Sequence, residues 1–176
     1  MIPNCCDLEL NYGIKINYVK TRLLSIRGII YSWYLSKGKK KLLCGEYADA
    51  KSYFTKAIKM VDSSGSAYFC RGQTWDSLKD YQCAIEDHDV AIAHNPSTAE
   101  IYYKRGLANS SLKQKTEAIS DYNKAIELKY SDPVVYYLRG LVKKSLQLDE
   151  GACQDFRKAR ELGFEDNGLA FDELCR

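Results

Sequence analysis

The sequence predicts an all-α protein, an α-solenoid of stacked helix–turn–helix units, and three observations predict it. Glycine recurs every 34 residues, at Gly38, Gly72, Gly106 and Gly140. Two alanine columns keep the same period: Ala50, Ala84, Ala118 and Ala152, then Ala57, Ala91, Ala125 and Ala159. An aromatic column follows it too, at Tyr34, Tyr68, Tyr102 and Tyr136. A fixed period of this length marks a repeat architecture, in which one unit cannot bury both faces of its helix pair and must stack on its neighbours.

The columns also specify how the helices meet. Antiparallel helices approach closely only where side chains are small, so glycine and alanine trace the contact line. Tyr34, Tyr68, Tyr102 and Tyr136 on the first helices, and Phe54, His88, Tyr122 and Phe156 on the second, fill the space around it. Each well-buried aromatic contributes about 2–3 kcal/mol.

Residues 1–31 fall outside this pattern. No Asp or Glu occurs between Leu10 and Gly45, whereas Lys15, Lys20, Arg22, Arg27 and Lys37 are basic, as are Lys39, Lys40 and Lys41. Apolar residues such as Ile14, Val19, Leu23, Ile26 and Ile30 are interleaved, with helical spacing from about Val19 onward. Three readings stay open for this segment: a capping helix with a solvated basic face, a surface for anionic membrane or nucleic acid, or an unordered leader.

The first repeat covers 32–64, with its helices meeting at Gly45-Glu46 and a polar break at Asp62-Ser63-Ser64-Gly65. The second covers 65–98, turning near Lys79 and leaving at Asn95-Pro96. The third covers 99–132, and Pro133 opens the fourth, 133–166, where a first-turn proline costs no hydrogen bond. Gly163 ends the last helix of that repeat. Residues 167–176 read as a capping helix with Ala170, Phe171, Leu174 and Cys175 on one face. Arg160 stands where earlier repeats have Ile58, Ile92 and Ile126, as expected where the stack meets water.

A unit of this length carrying Tyr102, Gly106, Ala118, Tyr122 and Ala125 resembles the tetratricopeptide repeat (TPR). The resemblance runs from about Ser32 to the C-terminus and implies a right-handed superhelix whose inner wall is made of first helices. Two columns depart from the family pattern. Its usual proline appears only as Pro96, with Tyr130 and Phe164 elsewhere, and its late first-helix aromatic only as Trp75, with Lys41, Asn109 and Lys143 elsewhere.

By the same resemblance, the concave groove is lined by Phe69, Gln73 and Asp76, then Tyr103, Leu107 and Ser110, then Tyr137, Leu141 and Lys144. The aromatics and leucines make an apolar strip for a peptide, unless the aromatic rings pack between neighbouring first helices instead. The groove lacks the Lys, Asn and Arg set by which some chaperone-binding members hold a C-terminal carboxylate, which implies a hydrophobic or aromatic-containing segment as its ligand.

Arg71, Arg105 and Arg139 precede the glycine column, and Asp87, Asp121 and Asp155 follow 16 residues later. The first repeat has Lys37 and Tyr53 instead, so the two residue types come together or not at all. An ion pair between the two helices of a repeat explains this; two merely exposed polar positions is the alternative.

Composition narrows the function. The chain has 176 residues, 45% hydrophobic and 28% charged, with no apolar run long enough to span a membrane. MIPNCCDLELNYG shows no secretion signal. Seven cysteines, an odd number without a C-x-x-C pair, predict reduced structural thiols and a cytoplasmic location. Residues 1–64 carry 11 Lys and Arg against 5 Asp and Glu, and the remainder 15 against 18, so charge is unevenly distributed. His88 and His94 are the only histidines and have no ligand set at metal spacing, so neither a metal nor another cofactor is expected. No phosphate-loop or catalytic motif occurs, so no enzyme is expected. The expected function is a protein–protein adaptor or scaffold with a peptide or protein partner. The alternatives are a tether whose basic N-terminus docks on anionic membrane or nucleic acid, and a self-associating structural protein.

Overall fold

The structure, a computed structural model, describes residues 5–61, 65–165 and 175, with side chains from Leu24 onward among these. Every regular element among the described residues is an α-helix: α1 (Cys5–Leu43), α2 (Tyr47–Met60), α3 (Gly65–Ser77), α4 (Tyr81–His94), α5 (Ala99–Ser111), α6 (Lys115–Glu127), α7 (Val134–Lys144) and α8 (Asp149–Glu161). They pack in consecutive pairs, one pair per repeat. The chain divides into two bodies, Met1–Ser63 with the first pair and Ser64–Arg176 with the other three.

In the first body, α1 continues without a break through residue 31, so residues ahead of the first repeat extend its first helix. Ala50, Phe54 and Ala57 of α2 are fully buried. A Cβ placed on Gly38 would stand 2.6 Å from the Phe54 ring. Tyr53, which replaces the aspartate of the other repeats, lies against Trp33 and Tyr34 with ring centres 6.1 and 6.3 Å apart.

The second body repeats the glycine contact three times. A Cβ would come within 2.6 Å of the His88 ring at Gly72, 2.8 Å of Tyr122 at Gly106, and 2.6 Å of Phe156 at Gly140. The glycine column is therefore fixed by close approach: the ring from the second helix occupies the volume that any side chain would need. Between pairs, Ile92 of α4 and Val135 and Val142 of α7 join the cluster around Tyr102, Tyr122 and Ala125, so neighbouring repeats share one core.

Each turn within a pair uses one backbone device. Residues 45, 79, 113 and 147 take the left-handed conformation, with φ between 61 and 76°. In the third repeat, Lys113 N–H donates to the Ser110 carbonyl and Gln114 N–H to the Asn109 carbonyl, at 3.0 and 2.9 Å. The same two bonds recur in the other repeats. This is a Schellman cap. Only the first repeat places glycine there, as Gly45; Lys79, Lys113 and Gln147 accept the cost of a Cβ in that region.

The Arg–Asp columns form ion pairs. Arg71 donates to both carboxylate oxygens of Asp87 at 2.8 and 2.7 Å. Arg105 meets Asp121 at 3.1 and 2.6 Å, and Arg139 meets Asp155 at 2.9 and 2.5 Å. The three aspartates are buried and the arginines mostly so. Each guanidinium also lies over the ring of the tyrosine three residues earlier, 5.4 to 5.7 Å away. Burial opposes the charge on Arg105, but its bonds to Asp121 and Asp89 outweigh that and raise its pKa.

The remaining guanidinium nitrogen reaches backward. Arg105 donates to Asp89 of α4 and Arg139 to Asn123 of α6, both at 2.5 Å. Each of these arginines thus ties its own pair together and joins it to the preceding one. The departures late in the first helix have the same basis: Asn109 donates to Asp121 at 2.8 Å and Lys143 pairs with Asp155 at 2.8 Å.

Cys153 and Cys175 form a disulfide, with Cα atoms 5.5 Å apart, which corrects the expectation of reduced thiols at this pair. Cys175 packs against the cluster of Ala152 and Phe156, bringing together two cysteines 22 residues apart that spacing alone does not link. Cys44, Cys70 and Cys83 are outside disulfides. The other apolar positions of the expected capping helix, Ala170, Phe171 and Leu174, lie outside the described residues.

Two measurements test this packing. Gly106→Leu is expected to wedge α5 from Tyr122 and lower the melting temperature by roughly 5 °C or more; an unchanged melting curve contradicts the contact. Asp121→Ala is expected to cost about 3 kcal/mol by leaving Arg105 buried without its main counter-ion. A double-mutant cycle with Arg105→Ala is then expected to return a coupling above about 1 kcal/mol, and coupling near zero contradicts the ion pair.

Candidate functional site

The groove residues expected from sequence stand on the first helices of the second body: Phe69, Gln73 and Asp76 on α3, Tyr103, Leu107 and Ser110 on α5, Tyr137, Leu141 and Lys144 on α7. The spacing i, i+4, i+7 puts each set on one helix face. On α5 that face lies roughly opposite Arg105 and Asn109, which turn toward Asp121. Leu141 is exposed, and the other eight are half-buried.

The aromatic members are held from behind. Tyr103 stacks on Tyr130, with ring centres 4.6 Å apart and planes at 20°. Tyr137 lies 4.6 Å from Phe164 and 5.6 Å from Phe156. Phe69 leans on His88 at 5.7 Å. Tyr130 and Phe164 stand where the family's proline is missing, so that departure supplies a second aromatic layer beneath the strip. Sequence reasoning noted these two residues only as departures; their 34-residue spacing, parallel to Tyr103 and Tyr137, was the available signal. Burial, with Tyr103 and Asp132 nearby, pushes the Tyr130 hydroxyl up to about 12.

Two members differ in part from a purely outward orientation. The Asp76 carboxylate lies 3.1 Å from His88 Nε2, so it is engaged with α4. Phe69 likewise gives part of its surface to His88. Leu107 and Leu141, with the outer faces of Tyr103 and Tyr137, make up the apolar part of the strip. No cluster of His, Cys, Asp and Glu suited to a metal occurs among the described residues.

Comparison with known proteins agrees with this fold. Residues 99–132 match the tetratricopeptide repeat family model. No curated protein matches the sequence at a significant level. The crystal structure of MamA superposes with a TM-score of 0.73 at 26% identity, over 92% of this chain and 96% of that one. The first TPR of Spaghetti (RPAP3), bound to the HSP90 peptide SRMEEVD, gives 0.65 at 25% identity, over 66% of this chain and 93% of that one. The first TPR domain of human RPAP3 gives 0.64 at 25% identity, over 69% and 95%. Residues 99–132 are thus a tetratricopeptide repeat, and the helix pairs around them share the fold of these structures.

Proposed function

We propose that this protein is a non-enzymatic adaptor that binds a hydrophobic or aromatic-containing peptide segment of a partner along the strip formed by Tyr103, Leu107, Tyr137 and Leu141. The observation that carries this reading is the backing of both tyrosines by Tyr130 and Phe164, which holds a half-buried apolar strip in place before any ligand arrives. The RPAP3 structure with its HSP90 peptide supports a peptide role for a fold of this kind. The peptide here differs in chemistry, because Gln73, Asp76 and Ser110 offer no cationic pocket for a terminal carboxylate. Affinity comes from a few side-chain anchors on the preformed surface.

A second reading draws on a separate observation. On α1, the apolar side chains Ile26, Ile29, Ile30 and Trp33 are exposed on one face beside basic Arg27. That pattern suits a helix lying on an anionic membrane, with the repeats carrying cargo.

Selection of a random peptide library on the full chain tests the first reading. Peptides with aromatic or aliphatic anchors are expected, with binding weakened at least about tenfold in a Leu107→Glu/Leu141→Glu variant of unchanged melting temperature. Equal binding by that variant contradicts the groove. Sedimentation with anionic vesicles tests the second: binding is expected to fall with salt and to vanish in Ile29→Glu/Trp33→Glu, and no binding at low salt removes it.

A further inference from the structure

The third and fourth repeats bury one side of their first helix against the second helix of the repeat before. Ile101 on α5 and Val135 on α7 are 3% and 0% exposed, and two turns further on Ala108 and Val142 are buried as well. Val135 and Val142 belong to one buried cluster, against which Ile92, Ile119 and Ile126 pack. Between the two buried positions, Arg105 donates to Asp89 of α4 and Arg139 to Asn123 of α6. The covering helix thus presents apolar, polar and apolar residues at i, i+4 and i+7. These are Ile85, Asp89 and Ile92 on α4, then Ile119, Asn123 and Ile126 on α6.

The corresponding side of α1 is open. Trp33 stands at the position of Ile101 and Val135 and is 51% exposed. Lys40, at the position of Ala108 and Val142, is exposed too. Ile26 and Ile30 continue the stripe toward the N-terminus at 45% and 37%. Lys37 takes the place of the arginines, but its own repeat has Tyr53 where the others have aspartate. Its ammonium lies over the Trp33 ring, 5.8 Å from the centre. Ile26, Ile30, Trp33, Lys37 and Lys40 fall on one helix face. They make an apolar stripe ending in two cations, on a stretch from Leu10 to Gly45 that holds no Asp or Glu.

We infer that this face docks an acidic amphipathic helix of a partner protein, laid on α1 as α4 lies on α5. A carboxylate of that helix takes the role of Asp89 opposite Lys37, and its apolar residues cover Trp33 and Ile30. Two cations in the stripe favour the acidic pattern of α4 over the neutral one of α6. A second copy of this chain does not offer such a helix from the other end of its stack. At the positions of Ile119, Asn123 and Ile126, α8 has Cys153, held in the disulfide, then Arg157 and Arg160. Those two charges repel Lys37 and Lys40. This docking is independent of the groove, and it takes the face that the membrane reading lays on lipid, so vesicles form one arm of the test.

The test is an NMR titration of the full chain with a stapled copy of residues 81–94, the α4 helix, read at the Trp33 indole and the backbone amides of 30–41. The staple joins positions 83 and 87, away from Ile85, Asp89 and Ile92. Saturable shifts are expected at Trp33, with the Trp75 indole and the amides of α5 unmoved. Lys37→Glu, a change at an exposed side chain, is expected to weaken binding at least about tenfold, as is Asp89→Lys in the peptide. The two changes combined are expected to restore it, which a purely structural lysine does not do. No response at about 1 mM peptide, shifts confined to α3–α8, or a charge exchange that restores nothing overturns the inference. Adsorption to phosphatidylserine vesicles that is lost in Lys37→Glu, with no response to the peptide, assigns the face to a membrane and overturns it as well.

Discussion

The structure depends on one steric constraint, the contact of a glycine on each first helix with a ring on its partner. At Gly38, Gly72, Gly106 and Gly140 a Cβ would lie within 2.8 Å of Phe54, His88, Tyr122 and Phe156 respectively. That proximity sets the separation of each helix pair, and the alanines of both columns are buried beside it. The ring type varies from phenylalanine to histidine to tyrosine, but a planar group of similar thickness is kept. Constraint therefore falls on volume rather than on chemistry.

The polar clasp builds on that spacing. With the helices close, Arg71, Arg105 and Arg139 reach Asp87, Asp121 and Asp155 in a bidentate geometry, while the tyrosine column supplies the floor beneath each guanidinium. Burying such a pair has a desolvation cost that good geometry only offsets, so its value lies partly in specifying alignment. Arg105 and Arg139 add to this by bridging to the preceding second helix. One residue thereby fixes both the pair and the step to the next pair, which is how a short array keeps a single arrangement of its repeats.

Much of this was legible in the sequence because a 34-residue period reports equivalent environments. The glycine, alanine and Arg–Asp columns could be read without coordinates, and the joint absence of Arg and Asp from the first repeat raised the intra-repeat ion pair as one of two readings, which the contacts decide. What the period does not report is contact between different columns of different repeats. Asp89 and Asn123 precede their arginines by 16 residues, yet nothing in the one-dimensional pattern says that this offset crosses to a neighbouring helix. Tyr130 and Phe164 looked like lost prolines until their rings were seen against Tyr103 and Tyr137. The Cys153–Cys175 bond was hidden for a similar reason: cysteine arithmetic sees number and spacing, whereas the packing of Cys175 on Phe156 is a three-dimensional fact. Of the groove, positions were readable but orientations were not, as the engagement of Asp76 with His88 shows.

The two sides of α5 differ in chemistry: half-buried aromatic and aliphatic groove residues on one, the ion pair of Arg105 with Asp121 on the other. The working surface proposed for the protein is the first of these. Amide hydrogen exchange of the full chain, with and without a peptide selected on it, locates the contact most directly. The account predicts slowed exchange along 103–110 and 137–144, with α4 and α6 unchanged on their outer faces. Slowing confined to α4 and α6, or to α1, would contradict it.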